Sequence, residues 1–275
     1  MLVRVTLVAL ALVVPPSAAR SQAPPGESEP LVSGQIGALV LSLPAYPGAR
    51  ERWLVPVPFV DLRVARRFYV GDGLGGLSAG AGAYLLQWGG FSWTADLALT
   101  SDRPEDRADA LAGMGDRGFG VFVGSTLGYR MGPVEASAAV AVGLEDRMGS
   151  LGVLGLSAGG RLGGRWFGQG GGAAVFGDCA NLRWDFGVSD AQAARRSGLV
   201  ENGAPDLRPE DRVPFTPRCG LRELRTTASL GYALSPRLSL FGSATGVRLE
   251  RGAAASPLTR ERTSWEAGLG LSWRL

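Results

Sequence analysis

The sequence predicts an all-β fold: a transmembrane, antiparallel up-and-down β-barrel of about 12 strands, with one long loop that carries a short helix. Apolar and polar residues alternate with a period of two in many stretches of the chain. These stretches run for about 10–13 residues, which is long for a soluble sheet and suits a tilted bilayer crossing. Short and long connections also alternate, as periplasmic turns and external loops do in outer-membrane barrels.

The first residues predict export to the cell outer membrane through a cleaved signal peptide. Arg4 precedes an apolar run, and Ser17-Ala18-Ala19 supplies small residues for cleavage, which places the signal peptide at 1–19. Residues 20–32 are rich in proline and polar residues and predict a disordered periplasmic tail. Residues 33–275 are predicted to form the barrel.

The strands follow the alternation in chain order. In the last strand, Trp265 and Trp273 lie on one face and Glu266 on the other, which is typical of a strand between two different solvents. An even number of strands places both chain ends on the periplasmic side. The twelve predicted strands are 33–43, 53–62, 65–71, 75–86, 89–100, 118–130, 134–145, 150–162, 165–177, 221–234, 237–249 and 264–275.

Two strands carry weaker signals. Pro56 and Pro58 have no amide hydrogen for ladder bonds, so the second strand is expected to be bulged or irregular. Gly170-Gly171-Gly172 blurs the two faces of the ninth strand. Tryptophans near strand ends predict aromatic girdles at the two membrane interfaces. They are Trp53, Trp88, Trp93, Trp166, Trp265 and Trp273.

Full charges in mid-strand are predicted to face a wet lumen, because a dry core tolerates them poorly. These lumen-facing charges are Asp96, Arg161, Arg225 and Glu266.

The connection 178–220 is the longest irregular segment. Residues 190–197 are predicted to make two helical turns capped by Ser189 or Asp190. Cys179 and Cys219 lie at the two roots of the loop, and an exported chain with two cysteines predicts a disulfide between them. Closing about 40 residues stabilises a fold by roughly 4 kcal/mol. The loop is expected either to cap the barrel outside or to plug its lumen.

The composition excludes several classes of function. The chain has no histidine, which removes Ser-His-Asp triads, histidine general bases and histidine-bearing zinc sites. Its 28 basic residues, all arginine, are balanced by 25 acidic ones, so nucleic acid is not an expected partner. Because the sequence shows no recognisable set of catalytic residues, the chain is predicted not to be an enzyme and to need no cofactor or metal.

Three local patterns have two interpretations each. Gly71-Asp72-Gly73-Leu74-Gly75-Gly76 fits a dinucleotide loop but precedes no helix, which favours turn and strand glycines. An acidic cluster suggests Ca²⁺, but interleaved arginines and the lack of EF-hand spacing favour a solvated external loop. Arginines of the long loop either bind lipopolysaccharide phosphates or keep the loop soluble. The cluster is Asp102, Glu105, Asp106 and Asp109, and the arginines are Arg195, Arg196, Arg208, Arg212 and Arg218.

Several motifs occur in an order and spacing that resembles a known family. They are Tyr46-Pro47-Gly48, Val55-Pro56-Val57-Pro58-Phe59-Val60-Asp61, Gly187-Val188-Ser189 with Ala191-Gln192-Ala193 and Ser197-Gly198-Leu199, Ser256-Pro257-Leu258 with Arg260, and the closing strand Ala267 to Arg274. From about residue 33 to residue 275 the chain resembles the MipA/OmpV family of outer-membrane proteins, the MltA-interacting proteins. It differs in ending on Leu275 instead of an aromatic residue and in a longer segment at 200–218.

The resemblance implies a non-enzymatic scaffold, embedded in outer-membrane lipid and lipopolysaccharide. Such a scaffold links a lytic transglycosylase with a penicillin-binding protein in peptidoglycan synthesis and turnover. The tail at 20–30 is expected to contribute to these periplasmic contacts. A narrow porin-like channel stays open as an alternative, with the lumen charges setting its selectivity. A surface adhesin acting through the 178–220 loop is a third.

Overall fold

Twelve antiparallel strands close into one barrel, as predicted. The computed structural model describes residues 30–202 and 207–275, so the predicted signal peptide and most of the predicted tail lie outside the described residues. Each strand pairs with its neighbours in chain order, and the first strand pairs with the last to close the wall. The strands are β1 (Val32–Pro44), β2 (Arg52–Val64), β3 (Phe68–Gly73), β4 (Ser78–Trp88), β5 (Phe91–Thr100), β6 (Gly120–Met131), β7 (Val134–Gly143), β8 (Ser150–Gly163), β9 (Trp166–Gly177), β10 (Gly220–Ala233), β11 (Leu238–Leu249) and β12 (Thr263–Arg274).

The outer face of the barrel is apolar. In β5, Leu97 and Leu99 are about half exposed on the outside, whereas Asp96 and Ala98 are buried inside. The same alternation continues around the wall, and each strand pairs with two neighbours, as a bilayer demands of a β-structure. The six tryptophans predicted to form girdles are each at least 42% exposed on the outside. Among the described residues, no helix is both long and apolar enough to span a membrane.

The second strand is regular, which corrects the expectation of a bulge. β2 pairs with β1 residue for residue from Arg52 to Val64, with no shift of register. β3 is short and pairs with β2 only at Leu62, Arg63 and Val64. Pro56 and Pro58 therefore lie where β2 has a strand partner on one side only. On the other edge, a missing amide hydrogen removes no ladder bond.

The third and fourth strands lie two to three residues later in the chain than predicted. Ala65 and Arg66 have positive φ angles of 51° and 56° and form the preceding periplasmic turn, so they are not part of β3. Between β3 and β4, residues 74–76 make a 3₁₀ turn that folds into the lumen and contacts β5, β6, β7 and β8. Of the glycines in the dinucleotide-like pattern, Gly71 and Gly73 thus lie in β3, and Gly75 and Gly76 lie at the hairpin tip.

The connections alternate in length as predicted. The periplasmic turns span 65–67, 89–90, 132–133, 164–165 and 234–237, and the larger external loops span 45–51, 101–119, 144–149, 178–219 and 250–262. The predicted helix at 190–197 is present and longer, as α2 (Asp190–Glu201), with Ser189 and Gln192 forming a capping box. The loops also contain an unpredicted α1 (Cys179–Phe186) and a short α3 (Arg251–Ala254).

Candidate functional site

Four external loops pack together over one end of the barrel. They share a hydrophobic core in which each loop contributes a buried side chain, among them Tyr46, Leu111, Val188 and Leu258. We call this assembly the cap; it comprises the described residues of 45–51, 101–119, 178–219 and 250–262. Of the two arrangements expected for the long loop, the structure has the external cap.

A buried carboxylate joins the loops at the centre of the cap. Asp211 accepts two hydrogen bonds from Arg260, at 2.8 Å from Nη1 and 2.5 Å from Nη2, and a third from the amide of Arg208 at 2.7 Å. Arg196 lies 3.7 Å from the same carboxylate and donates to the carbonyl of Ala110. The side chains of Arg196 and Asp211 are both 0% exposed, so each depends on the charges around it.

The electrostatics of this cluster favour an ionised carboxylate. Burial raises the pKa of Asp211, but the hydrogen bonds and charge of Arg260, the amide of Arg208 and the charge of Arg196 lower it further, to a net pKa below the ordinary value. Close by, the hydroxyl of Tyr46 donates to the carbonyl of Leu258 at 2.9 Å. Burial raises the pKa of Tyr46 to about 12, so this donor keeps its proton.

A second cluster anchors α1 to the rim of the barrel. The carboxylate of Asp185 accepts from Arg117 and forms an ion pair with Arg222 at 2.7 Å, while Arg103 donates to its backbone carbonyl. Burial raises the pKa of Asp185, but the charges of Arg222 and Arg117 lower it further, to a net value below the usual range. Burial and the neighbouring Arg117 lower the pKa of Arg103 to about 10.

From this anchor a line of alternating charges descends into the lumen. Arg222 lies 3.4 Å from Glu223, Arg225 lies 3.0 Å from Glu223, and Arg225 lies 2.9 Å from Glu266. We call Arg222, Glu223, Arg225 and Glu266 the ion ladder. Two of the four predicted lumen charges, Arg225 and Glu266, therefore lie side by side and neutralise each other.

The other two predicted charges lie apart from the ladder. Asp96, 2% exposed, accepts hydrogen bonds from the hydroxyls of Tyr69 and Thr126 on a different part of the wall. Arg161 of β8 is directly opposite Phe167 of β9 at the periplasmic end of the barrel, and its side chain is exposed.

Apolar side chains fill the lumen in two clusters, one towards the cap and one nearer the periplasmic end. In the first, Leu74 of the inward hairpin tip packs against Phe122 and Ala141. Gly124 makes room for the tip, since a Cβ there would lie 2.7 Å from the Cδ2 atom of Leu74. In the second cluster, the rings of Phe59 and Phe241 meet at 5.5 Å between centroids.

The other candidate residues of the external loops have structural contacts. Glu105 accepts the amides of Gly113 and Gly115 at 2.6 and 2.7 Å, so part of the acidic cluster orders its own loop and is not merely solvated. No grouping of metal-ligating side chains occurs among the described residues. Arg196 is fully buried, which excludes it from both the lipopolysaccharide and the solubility interpretations. A disulfide joins Cys179 and Cys219 at the root of the long loop.

One family model matches the sequence over nearly all of the barrel. The model of the family described as MltA-interacting protein MipA matches residues 36–275. The chain belongs to this family. Together with the closed wall and its apolar exterior, MipA-family membership identifies an outer-membrane β-barrel and points to a structural or channel protein.

Solved barrels are similar to the MipA-family chain only at a distance. The NanC porin is 7% identical with a TM-score of 0.42, over 90% of this chain and 100% of the porin. An outer-membrane channel from Pseudomonas putida F1 is 10% identical with a TM-score of 0.41, over 92% of this chain and 100% of the channel. Neither likeness is close enough to carry an argument. None of the curated proteins matches the chain.

Most of the motifs that resemble the MipA family converge in the cap. Tyr46 bonds to Leu258, Val188 pairs its backbone with Phe215, and Ser189 caps α2. The hydroxyl of Ser256 donates to the carbonyl of Phe186 at 2.7 Å. In this chain, residues of these loop motifs therefore help to hold the external loops together.

Proposed function

We propose that the chain is a non-enzymatic outer-membrane scaffold for enzymes that build and cut murein, with a lumen closed to steady solute flow. The observation that carries this proposal is the cap, whose loops are joined by the buried contacts of Asp211 with Arg260 and Arg196. A barrel whose external mouth is covered and whose lumen is packed is suited to anchoring partners and not to passing solutes. The description of the family, MltA-interacting protein, supports a lytic transglycosylase as one partner.

Two measurements test this proposal. The first is single-channel conductance of the refolded mature chain in a planar bilayer, where we expect a folded, heat-modifiable barrel that is electrically silent. The second is capture of purified lytic transglycosylase and penicillin-binding protein on the immobilised barrel, compared with an unrelated outer-membrane barrel. Absence of specific capture contradicts the scaffold.

The predicted tail at 20–30 is proposed to take part in this capture. A chain lacking residues 21–30 should bind the enzymes more weakly than the mature chain. Unchanged capture removes the tail from the proposal and leaves the scaffold standing.

A narrow channel is the second candidate, and the ion ladder favours it. Charged side chains that line a lumen are a means of ion selection. Stable conductance steps that change when Arg225 or Glu266 is reversed in charge would replace the scaffold with the channel.

A further inference from the structure

Arginines are concentrated at the periplasmic end of the barrel. The turns there and the strand residues beside them, at 30–35, 61–68, 87–92, 129–135, 159–167, 233–239 and 272–275, contain eight arginines and two acidic residues, Asp61 and Glu135. We call these arginines the arginine ring. Its members are Arg63, Arg66, Arg67, Arg130, Arg161, Arg165, Arg237 and Arg274. This imbalance is local, since the whole chain carries a net charge of only +3.

Four members of the ring face the mouth of the lumen. Residues directly opposite each other in an antiparallel ladder share a face. Arg63 is opposite Tyr69, whose hydroxyl reaches Asp96 inside the barrel, and Arg161 is opposite the buried Phe167. Arg130 is likewise opposite Glu135, and both side chains face inward. Arg274 is opposite Gln35, whose side chain faces inward because it accepts a hydrogen bond from the buried Ser272. These four strands, β2, β6, β8 and β12, form two groups on opposite sides of the mouth.

Among the residues that the structure describes, half of these arginines have no carboxylate partner. Arg130 pairs with Glu135, and Arg63 lies 5.8 Å above the ring of Tyr84. Among the described residues, no ion pair involves Arg161, Arg165, Arg237 or Arg274. All four are exposed.

Small polar residues line the wall above the ring. Ser137 and Ser157 lie on one side and Thr227 and Ser229 on another, all half-buried on the inner face. The first apolar cluster lies towards the cap, whereas Phe241 of the second is opposite Gly231 and lies nearer the periplasmic turn than Ser229. The periplasmic mouth of the barrel is therefore cationic, and buried aromatic side chains, Phe167 and Phe241, lie directly inside it.

We propose that the arginine ring docks an acidic segment of a periplasmic protein, an Asp- and Glu-rich stretch that lies across the periplasmic mouth of the barrel. Charge complementarity selects a polyanion, and guanidinium groups match carboxylates in geometry. Four of the eight arginines are on the inner face of the barrel, away from the surrounding lipid, which favours a protein segment over phospholipid headgroups. The inference rests on the proposed scaffold function and names the chemistry by which a partner is held.

The test measures binding of a fluorescein-labelled ten-residue oligoglutamate to the refolded mature chain in discs of uncharged lipid. Uncharged oligoglutamine is the control probe, and soluble murein fragments are tested as competitors. The variants are Arg161→Gln with Arg165→Gln, Arg237→Gln with Arg274→Gln, and all four together. The matched control replaces two exposed arginines of the cap, Arg218 and Arg251, by glutamine. Heat-modifiable migration shows that each variant is folded.

We expect oligoglutamate to bind, to bind more weakly as salt rises, and to lose about tenfold in affinity in the fourfold variant and about threefold in each pair. The cap control should bind like the wild type. Equal binding by the ring variants overturns the inference, and so does tighter binding of murein fragments than of oligoglutamate. The paired variants keep the test decisive if the fourfold variant does not fold. Enzyme capture that persists in folded ring variants also overturns the inference but leaves the scaffold standing, whereas a wild type that captures no enzyme contradicts the scaffold itself.

Discussion

Arg260 holds Asp211 through two parallel hydrogen bonds, although the two residues are 49 positions apart in the chain and lie in different external loops. The contact ties the loop after β11 to the long loop before β10. Tyr46, from the loop after β1, bonds to Leu258 two residues before Arg260. The three loops therefore depend on one buried carboxylate and its neighbours for their mutual position.

Removing the charge of Asp211 should loosen the cap without opening the barrel wall. Asp211→Asn leaves the fully buried Arg196 and the mostly buried Arg260 without a carboxylate, and breaking a buried ion pair from one side costs about 3–5 kcal/mol. Limited proteolysis of the external loops should become much faster, while heat-modifiable migration of the barrel stays unchanged. Glu210→Gln is the matched control, since the side chain of Glu210 is 55% exposed. Proteolysis of Asp211→Asn at the wild-type rate would falsify the central role of this carboxylate.

The cap should also be sensitive to acid. The folded-state pKa values of Asp211 and Asp185 both lie below the ordinary aspartate value. A carboxyl with a lowered folded pKa contributes stability that is fully present above the unfolded pKa, about 3.9, and is lost as pH falls through the folded value. Loop protection in hydrogen exchange should therefore be constant from neutral pH to about 4 and decrease below that. Asp185→Asn with Asp211→Asn should remove most of this dependence, and an unchanged acid response in that variant contradicts the assignment.

Opening the disulfide should destabilise the long loop. Cys179 and Cys219 are 40 residues apart, and closing a loop of that length stabilises by about 4 kcal/mol in the chain-entropy model. Reduction, or the variant Cys179→Ser with Cys219→Ser, should speed proteolysis within 180–218 while the strands stay protected. The reduced wild type and the double variant should behave alike. If oxidised and reduced chains are cleaved at equal rates, the bridge contributes nothing to the cap.

The sequence predicts the parts of this structure that depend on neighbouring residues, and it does not predict the parts that depend on contacts between residues far apart in the chain. The alternation around Trp265 and Glu266 predicts β12 because a strand between lipid and lumen imposes a local period of two. The hairpin tip at Leu74 was not predicted, since its inward fold depends on the space left by Gly124 in a distant strand. Helix α1 was missed because its burial comes from contacts such as Asn181 with Met148.

The candidate site was predicted in part for the same reason. Arg225 and Glu266 were recognised as inward charges from the strand pattern, but their pairing joins strands 41 residues apart. The burial of Arg196 depends on Asp211 and Ala110, which no local pattern connects to it. An arginine in a polar loop therefore resembles a solvated residue until the fold of the cap is known.

The hairpin tip should act as the plug of the lumen. Leu74 is 2% exposed and packs on Phe122 and Ala141, and replacing a buried leucine by alanine costs about 2–5 kcal/mol. Because the tip is held by such contacts and not by ladder bonds, Leu74→Ala should let it move while the barrel stays folded. We expect brief conductance openings in a planar bilayer, absent from the wild type. Leu97→Ala, on the lipid-facing side of β5, is the control and should stay silent. If Leu74→Ala is as silent as the control, the tip is not what closes the lumen, and the cap or the cluster of Phe59 and Phe241 must do so.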